Sequence, residues 1–190
     1  MNNYEYIIAS LPDFRQDDRN VPDADAVIED IKSQLGSGDM VLLDTLLKGW
    51  DAESLDRDFY LKSTASRNAF IRGWFSFDLA VRNEKVRFLN RELGREADTD
   101  VMVLSEDGQP QEGTYAQDAL AQKDILSRER ALDTLMWNKA EELTLMHVFD
   151  MDVILATVAK LKITDRWSKL DPETGKEMFR RLVNELRNNR

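Results

Sequence analysis

Apolar side chains in this chain recur at steps of three and four residues, the spacing that gathers them on one face of a helix. The longest instance is Ser66 to Arg95, SRNAFIRGWFSFDLAVRNEKVRFLNRELGR. There Ile71, Phe75, Leu79, Val86, Leu89 and Leu93 form one stripe, and Asn83 falls on it. Upstream, Tyr4 to Leu11 (YEYIIASL) is a short apolar run ended by Pro12. Its β-branched and aromatic content suits either a strand or a first helical turn docked on the core. Pro22 and Asp23 open a helix with Ala26, Val27, Ile31 and Leu35 on one face and Gly36 as its C′ stop. Ser37 or Asp39 caps the next, whose Met40, Leu43, Leu46 and Leu47 face inward as far as Gly49, so the two read as an α-hairpin. Glu53 to Lys62 predicts a further helix anchored by Leu55, Phe59 and Tyr60.

The pattern breaks once, at Ala97–Thr114, where two Gly, one Pro and five acids mark a solvated loop or linker. From Tyr115 to Phe149 a helical pattern runs for 35 residues without Gly or Pro, with Ile125, Leu132, Leu135, Met136, Leu143 and Met146 as its core face. Asp150 or Asp152 caps a following helix that carries Val153, Ile154, Val158 and Leu161. A last helix starts with Asp171 at N-cap and Pro172 at N1, and continues through Met178, Phe179, Leu182, Val183 and Leu186. The reading is an all-α multi-helix bundle in two helical layers. Its N-terminal part is 1–96, its acidic linker 97–114 and its C-terminal part 115–190, with packing as a single domain the alternative. At 190 residues the chain buries a real core, and its 8 Gly and 4 Pro are few for an all-β fold.

Charge changes this picture at one place. The net charge is −10, yet residues 66–95 carry seven basic and three acidic side chains, while residues 1–65 carry 6 basic and 14 acidic ones. A basic helix in an acidic chain needs a partner inside the fold or outside it, and the acidic N-terminal third can supply the internal one. Phe70, Trp74, Phe75, Phe77 and Phe88 on this helix suit stacking on nucleic acid, but the net negative charge repels a polyanion, so no nucleic-acid partner is expected. With no Cys there is no disulfide framework and no thiolate chemistry. The N-terminus lacks the pattern of a signal peptide, and no apolar run is long enough to span a bilayer, so the cytoplasm is the expected compartment.

Enzymatic signals are weak. The sequence has no Gly-rich phosphate loop followed by Lys and Ser/Thr, no GxSxG and no HExxH. His147, the single histidine, sits near a helix C-terminus, where the macrodipole favours its charged form; a packed or capping role is the stronger reading. Asp150 and Asp152 have the spacing of a DxD metal clamp, but helix capping accounts for them better. No catalytic residue, cofactor or metal is expected. Met136, Met146, Met151, Trp137 and Phe149 form a soft apolar cluster, read as core packing rather than a binding groove, and Trp50, Trp74 and Trp167 read as core anchors. A buried Asn83 amide needs partners for its oxygen and its NH₂, which a neighbouring helix end supplies more readily than an outside partner.

The opening YEYIIASLPDF resembles a family of uncharacterised bacterial proteins encoded in V-type ATPase operons of Bacteroidetes and spirochaetes, and that resemblance covers most of the chain. Phe77-Asp78-Leu79 through Asn83, Lys85 and Arg87 is similar to the pattern of the AC39-type central-stalk subunit of V-type ATPases: an aromatic, then Asn, Lys and Arg along one helix. Glu84 stands where an apolar residue is usual. The resemblance implies an all-α, shortened AC39-like part with no catalytic site. It would couple the central-stalk subunits to the proteolipid ring of a V-type ATPase and touch the membrane only through partner subunits. On that basis the expected interface residues are Arg72, Arg82, Asn83, Lys85 and Arg87. The competing class is a cytoplasmic helical scaffold or regulator unrelated to the ATPase.

Overall fold

The computed structural model describes residues 4–18, 21–104 and 115–170. They form eight α-helices: α1 (Tyr4–Ser10), α2 (Ala24–Gln34), α3 (Ser37–Lys48), α4 (Arg57–Thr64), α5 (Ala69–Glu92), α6 (Tyr115–Leu120), α7 (Ile125–Thr144) and α8 (Met151–Ser168). A 3₁₀ turn at Ala52–Ser54 precedes α4, and no strand occurs among the described residues. The all-α reading therefore holds. The expected helix beginning at Asp171 lies outside the described residues.

Most helix starts are written in single polar residues that satisfy orphan backbone N–H groups. Asp23 accepts from the N–H of Asp25 and Ala26, and Asp56 from that of Phe59. Asn68 accepts from Ile71, Asp124 from Ser127, and Asp150 from Asp152 and Val153. Two expected boundaries move. The residue before α3 is Gly36, in extended conformation and without a side-chain cap, so it joins α2 to α3 rather than acting as a left-handed stop, and neither Ser37 nor Asp39 is the cap. Tyr4–Ser10 is a helix, with Ile7 buried and the Tyr4 hydroxyl donating to Asp39 on α3 at 2.8 Å.

The expected 35-residue helix is two helices and a turn. Asp124 interrupts it without Gly or Pro, because its carboxylate takes the Ser127 N–H at 2.8 Å and so starts a new N-terminus. The second helix stops at Thr144, and Leu145–Asp150 turn the chain back into α8. Ile125 and Met146, expected in the core, stand exposed at the two ends of α7.

The core sits around α8, which packs against α1, α2, α3, α5 and α7 and buries Ile154, Leu155, Val158 and Leu161 completely. Helix α5 packs against α3, α4, α6, α7 and α8. One hydrophobic cluster thus contains Ile7, Leu46 and Phe75 from the N-terminal part beside Ile154 and Val158 from the C-terminal part. The described residues of the parts expected as 1–96 and 115–190 share a single core, the packing given as the alternative. A smaller cluster joins Phe77 and Val81 of α5 to Ala116 and Leu120 of α6 and Leu132 of α7.

Because α5 is enclosed on several sides, it buries more than one stripe: Phe70, Trp74, Phe77 and Val81 join Ile71, Phe75 and Leu79. Phe75 meets Phe59 edge-on at 4.9 Å, and Trp74 stacks between Phe70 at 5.8 Å and Trp50 at 6.2 Å. The stripe does not continue to the end of the helix. Leu89 and Leu93 are exposed, and Asn90 is buried in their stead. Leu89 and Leu93 hold the same angular positions on the helix as Ile71 and Phe75, so the period persists to the helix end while the packing that buries it does not.

Candidate interaction surface

The cations of α5 are the residues the sequence singles out, and the fold ties them internally. Arg72 donates to the Ser66 carbonyl at 2.6 Å. Arg82 pairs with Asp78 one turn earlier at 2.8 Å, and Lys85 with Glu129 of α7 at 3.0 Å. Arg87 bridges Glu84 at 2.6 Å and Asp98 at 2.8 Å. The aromatics that would stack on a base are equally committed: Phe70, Trp74, Phe75 and Phe77 are buried, and Phe88 lies under the Arg128 guanidinium at 4.9 Å. Arg67, Arg91 and Arg95 are exposed and make no ion pair among the described residues, and exposed Arg72 bonds only to backbone carbonyls.

Asn83, 2% exposed, is a clasp. Its Nδ2 donates to the Met102 carbonyl at 2.9 Å, and its Oδ1 accepts the Met102 N–H at 3.0 Å. Two turns on, Asn90 donates to the carbonyls of Ala97 at 3.1 Å and Thr99 at 2.6 Å. Together the two amides bind the segment after α5 back along the helix. The partner of Asn83 is therefore this returning segment rather than a helix end. Asn90 was missed by sequence reasoning, although its seven-residue offset from Asn83 is the signal that could have found it. Buried Glu84 adds a tie to α6 by accepting from Gln117 at 3.2 Å.

Buried Tyr60 and partly buried Asp78 form a polar pair beside Arg82, the phenol donating at 2.6 Å. Burial, reinforced by the neighbouring carboxylate, holds the Tyr60 phenol far above its ordinary pKa, so it stays a donor. Asp150 and Asp152 do not converge on a metal position. Asp150 caps α8, and Asp152 accepts from the Asn68 amide at 2.5 Å, linking the starts of α5 and α8. No group of metal-ligating side chains that could hold an ion occurs among the described residues. No helix there is long and apolar enough to cross a membrane.

Among the described residues, exposed apolar side chains gather at the α7–α8 turn. Leu145 is 80% exposed, Met146 88%, Val148 62% and Phe149 56%: four apolar side chains within five consecutive residues. The expected cluster of Met136, Trp137, Met146, Met151 and Phe149 thus divides. Trp137 and Met151 are buried and Met136 half-buried, whereas Met146 and Phe149 project into solvent. The turn is held at its base. His147 Nδ1 lies 2.5 Å from Asp150 and 3.9 Å from Asp152, and the Asp150 hydrogen bond raises the imidazole pKa above its ordinary value. Single exposed apolar residues are ordinary on a protein surface, and four within five consecutive residues make this turn the candidate contact site.

The fold and this surface define the class as an all-α bundle whose central helix pairs Arg82, Lys85 and Arg87 internally and whose apolar turn is presented outward. Residues 110–190 match a family model described as "Protein of unknown function (DUF2764)", a stretch that contains α6, α7, the turn and α8. No curated protein and no solved structure matches the chain.

Proposed function

We propose that this chain is a non-catalytic interaction part that docks on a partner protein through the Leu145–Phe149 turn. The observation that carries this reading is the exposure of four apolar side chains on a turn pinned by His147 and Asp150. A pinned turn loses little conformational freedom on binding, and apolar side chains at a centre of contact are where binding energy concentrates. Nothing about such a role requires a catalytic group.

The partner we propose is a V-type ATPase. The sequence resemblances at YEYIIASLPDF and along Phe77–Arg87 support that identification, as does a helical body of the kind AC39-like parts require. In this role the chain sits on the cytoplasmic face of the complex, between central-stalk subunits and the proteolipid ring, and meets the membrane only through those subunits. The α5 arginines are then chiefly internal fasteners, and the contact itself is largely apolar. The test is co-purification of the tagged chain with ATPase subunits from detergent-solubilised membranes of its own cell. Recovery of stalk or ring subunits in fixed proportion supports the assignment. A tagged chain recovered without any ATPase subunit overturns it.

A further inference from the structure

A cleft of about 320 Å³ opens beside Trp50 and Trp74, with Asp78 and Arg82 on one wall and Asp133 and Arg166 on the other. The two walls repeat one arrangement. On α5, Asp78 Oδ2 accepts from the Tyr60 hydroxyl at 2.6 Å and from Arg82 Nε at 2.8 Å. Across the cleft, Asp133 Oδ2 accepts from Trp167 Nε1 at 2.6 Å and from Arg166 Nη2 at 2.5 Å. In each pair the carboxylate side chain is mostly buried, 14% and 13% exposed, and the guanidinium is the more open member, at 44% and 45%.

These pairs leave specific groups unused. Arg82 Nη1, Arg166 Nε and Nη1, and the Oδ1 of both aspartates make no hydrogen bond among the described residues. The cleft therefore presents donors and acceptors together, with charges of both signs fixed in place. A simple anion would gain from the arginines what it loses to the aspartates, and a simple cation the reverse. A ligand carrying both charges gains from each, provided its apolar part lies on the indoles. Half-buried Trp50, backed by the buried Trp74 at 6.2 Å, supplies that surface together with Leu55 and Met136.

We infer that this cleft is a binding site for a small zwitterion with an apolar body, of the size and chemistry of an aromatic α-amino acid. The ligand carboxylate meets Arg82 or Arg166, its ammonium meets Asp78 or Asp133, and its ring rests against the tryptophans. This site is independent of the proposed docking turn, so either can fail without the other.

The test titrates L-phenylalanine into the full chain and follows the indole N–H signals by two-dimensional NMR. N-acetyl-L-phenylalanine, without the ammonium, and L-phenylalaninamide, without the carboxylate, are run in parallel. The expected result is saturable movement of the Trp50 and Trp74 signals with phenylalanine, and binding about tenfold or more weaker for either blocked compound, since each lacks a charge-assisted hydrogen bond. Ala52→Phe, which adds a ring at an exposed lining position outside both ion pairs, abolishes the shift; Arg166→Gln weakens it in a chain whose helical spectrum is retained. Absence of saturation at about 10 mM phenylalanine, an affinity weaker than that of fragment-sized ligands in built sites, overturns the inference. Equal binding of the three compounds also overturns it, because that is the behaviour of an apolar crevice.

Discussion

Replacing Asn83 by Leu isolates the clasp that holds the segment after α5. The substitution keeps the number and branching of side-chain heavy atoms and removes both hydrogen bonds to Met102, at 2.9 and 3.0 Å, from a side chain that is 2% exposed. Each bond contributes about 0.5–1.5 kcal/mol net, and setting an apolar side chain against the polar backbone edge of Met102 costs a further share. Leucine's apolar surface returns part of this, so the expected loss is about 2–3 kcal/mol. For a chain of this length that is a fall in Tm of roughly 5–10 °C. Urea denaturation should show a lower midpoint with unchanged slope, and limited proteolysis should cut within 97–104 earlier than in the unmodified protein. Arg91→Ala, at an exposed position without an ion pair, is the control and should change stability by less than about 0.5 kcal/mol. If Asn83→Leu matches that control, the two bonds do not fasten the segment and the argument from buried amides is wrong.

Other positions test the packing and the turn. Phe75→Ala empties a fully buried site between Phe59 and Tyr60 and should cost about 3–5 kcal/mol by urea denaturation; a loss under about 1 kcal/mol would show that α4 does not seat on it. A Cβ at Gly73 would lie 2.6 Å from Leu143 Cδ2, so Gly73→Val should destabilise by about 1–3 kcal/mol. Leu143→Ala in the same chain should recover part of that loss, whereas strictly additive losses would contradict the α5–α7 contact. His147 has its pKa raised from 6.5 by Asp150, so its stabilising contribution is complete below 6.5 and fades as pH rises through the higher folded value. The Tm deficit of His147→Gln should accordingly be larger near about pH 6 than near about pH 8.5; a constant deficit would mean that the imidazole does not titrate against Asp150.

Much of this fold was legible because its signals are local. Asp23 and Asp150 announce their helices, since a carboxylate there satisfies backbone donors whatever the rest of the chain does. The stripe through Ile71, Phe75, Leu79 and Asn83 was readable from spacing alone. The misreadings came from tertiary facts. Leu89, Leu93, Ile125 and Met146 carry the right period, but no helix covers them, and periodicity records which residues share a face without saying whether that face has a partner. Composition marks a break at 97–114 and leaves two parts or a single domain open; α8, reaching back to α1, α2 and α3, packs as the single-domain alternative has it. Asp124 shows that a polar cap can split a helix in a stretch without Gly or Pro. For the surface, the charge excess on α5 drew attention to Arg82 and Arg87, yet Asp78, Glu84 and Asp98 answer them from nearby in sequence. The exposed turn was hidden because Leu, Met, Val and Phe are ordinarily core residues.

The most direct test of the docking account compares two variants in the same co-purification from solubilised membranes. One replaces Leu145, Met146 and Val148 by Ser; the other replaces Arg82 and Arg87 by Glu. The first changes side chains that are 80%, 88% and 62% exposed, so its melting curve should stay close to that of the unmodified chain. The second breaks internal ion pairs and should melt lower. The account predicts that the serine variant loses the ATPase subunits while remaining folded, and that the contact made by the unmodified chain survives about 0.5 M salt because it is largely apolar. Full recovery of those subunits by the folded serine variant would contradict it.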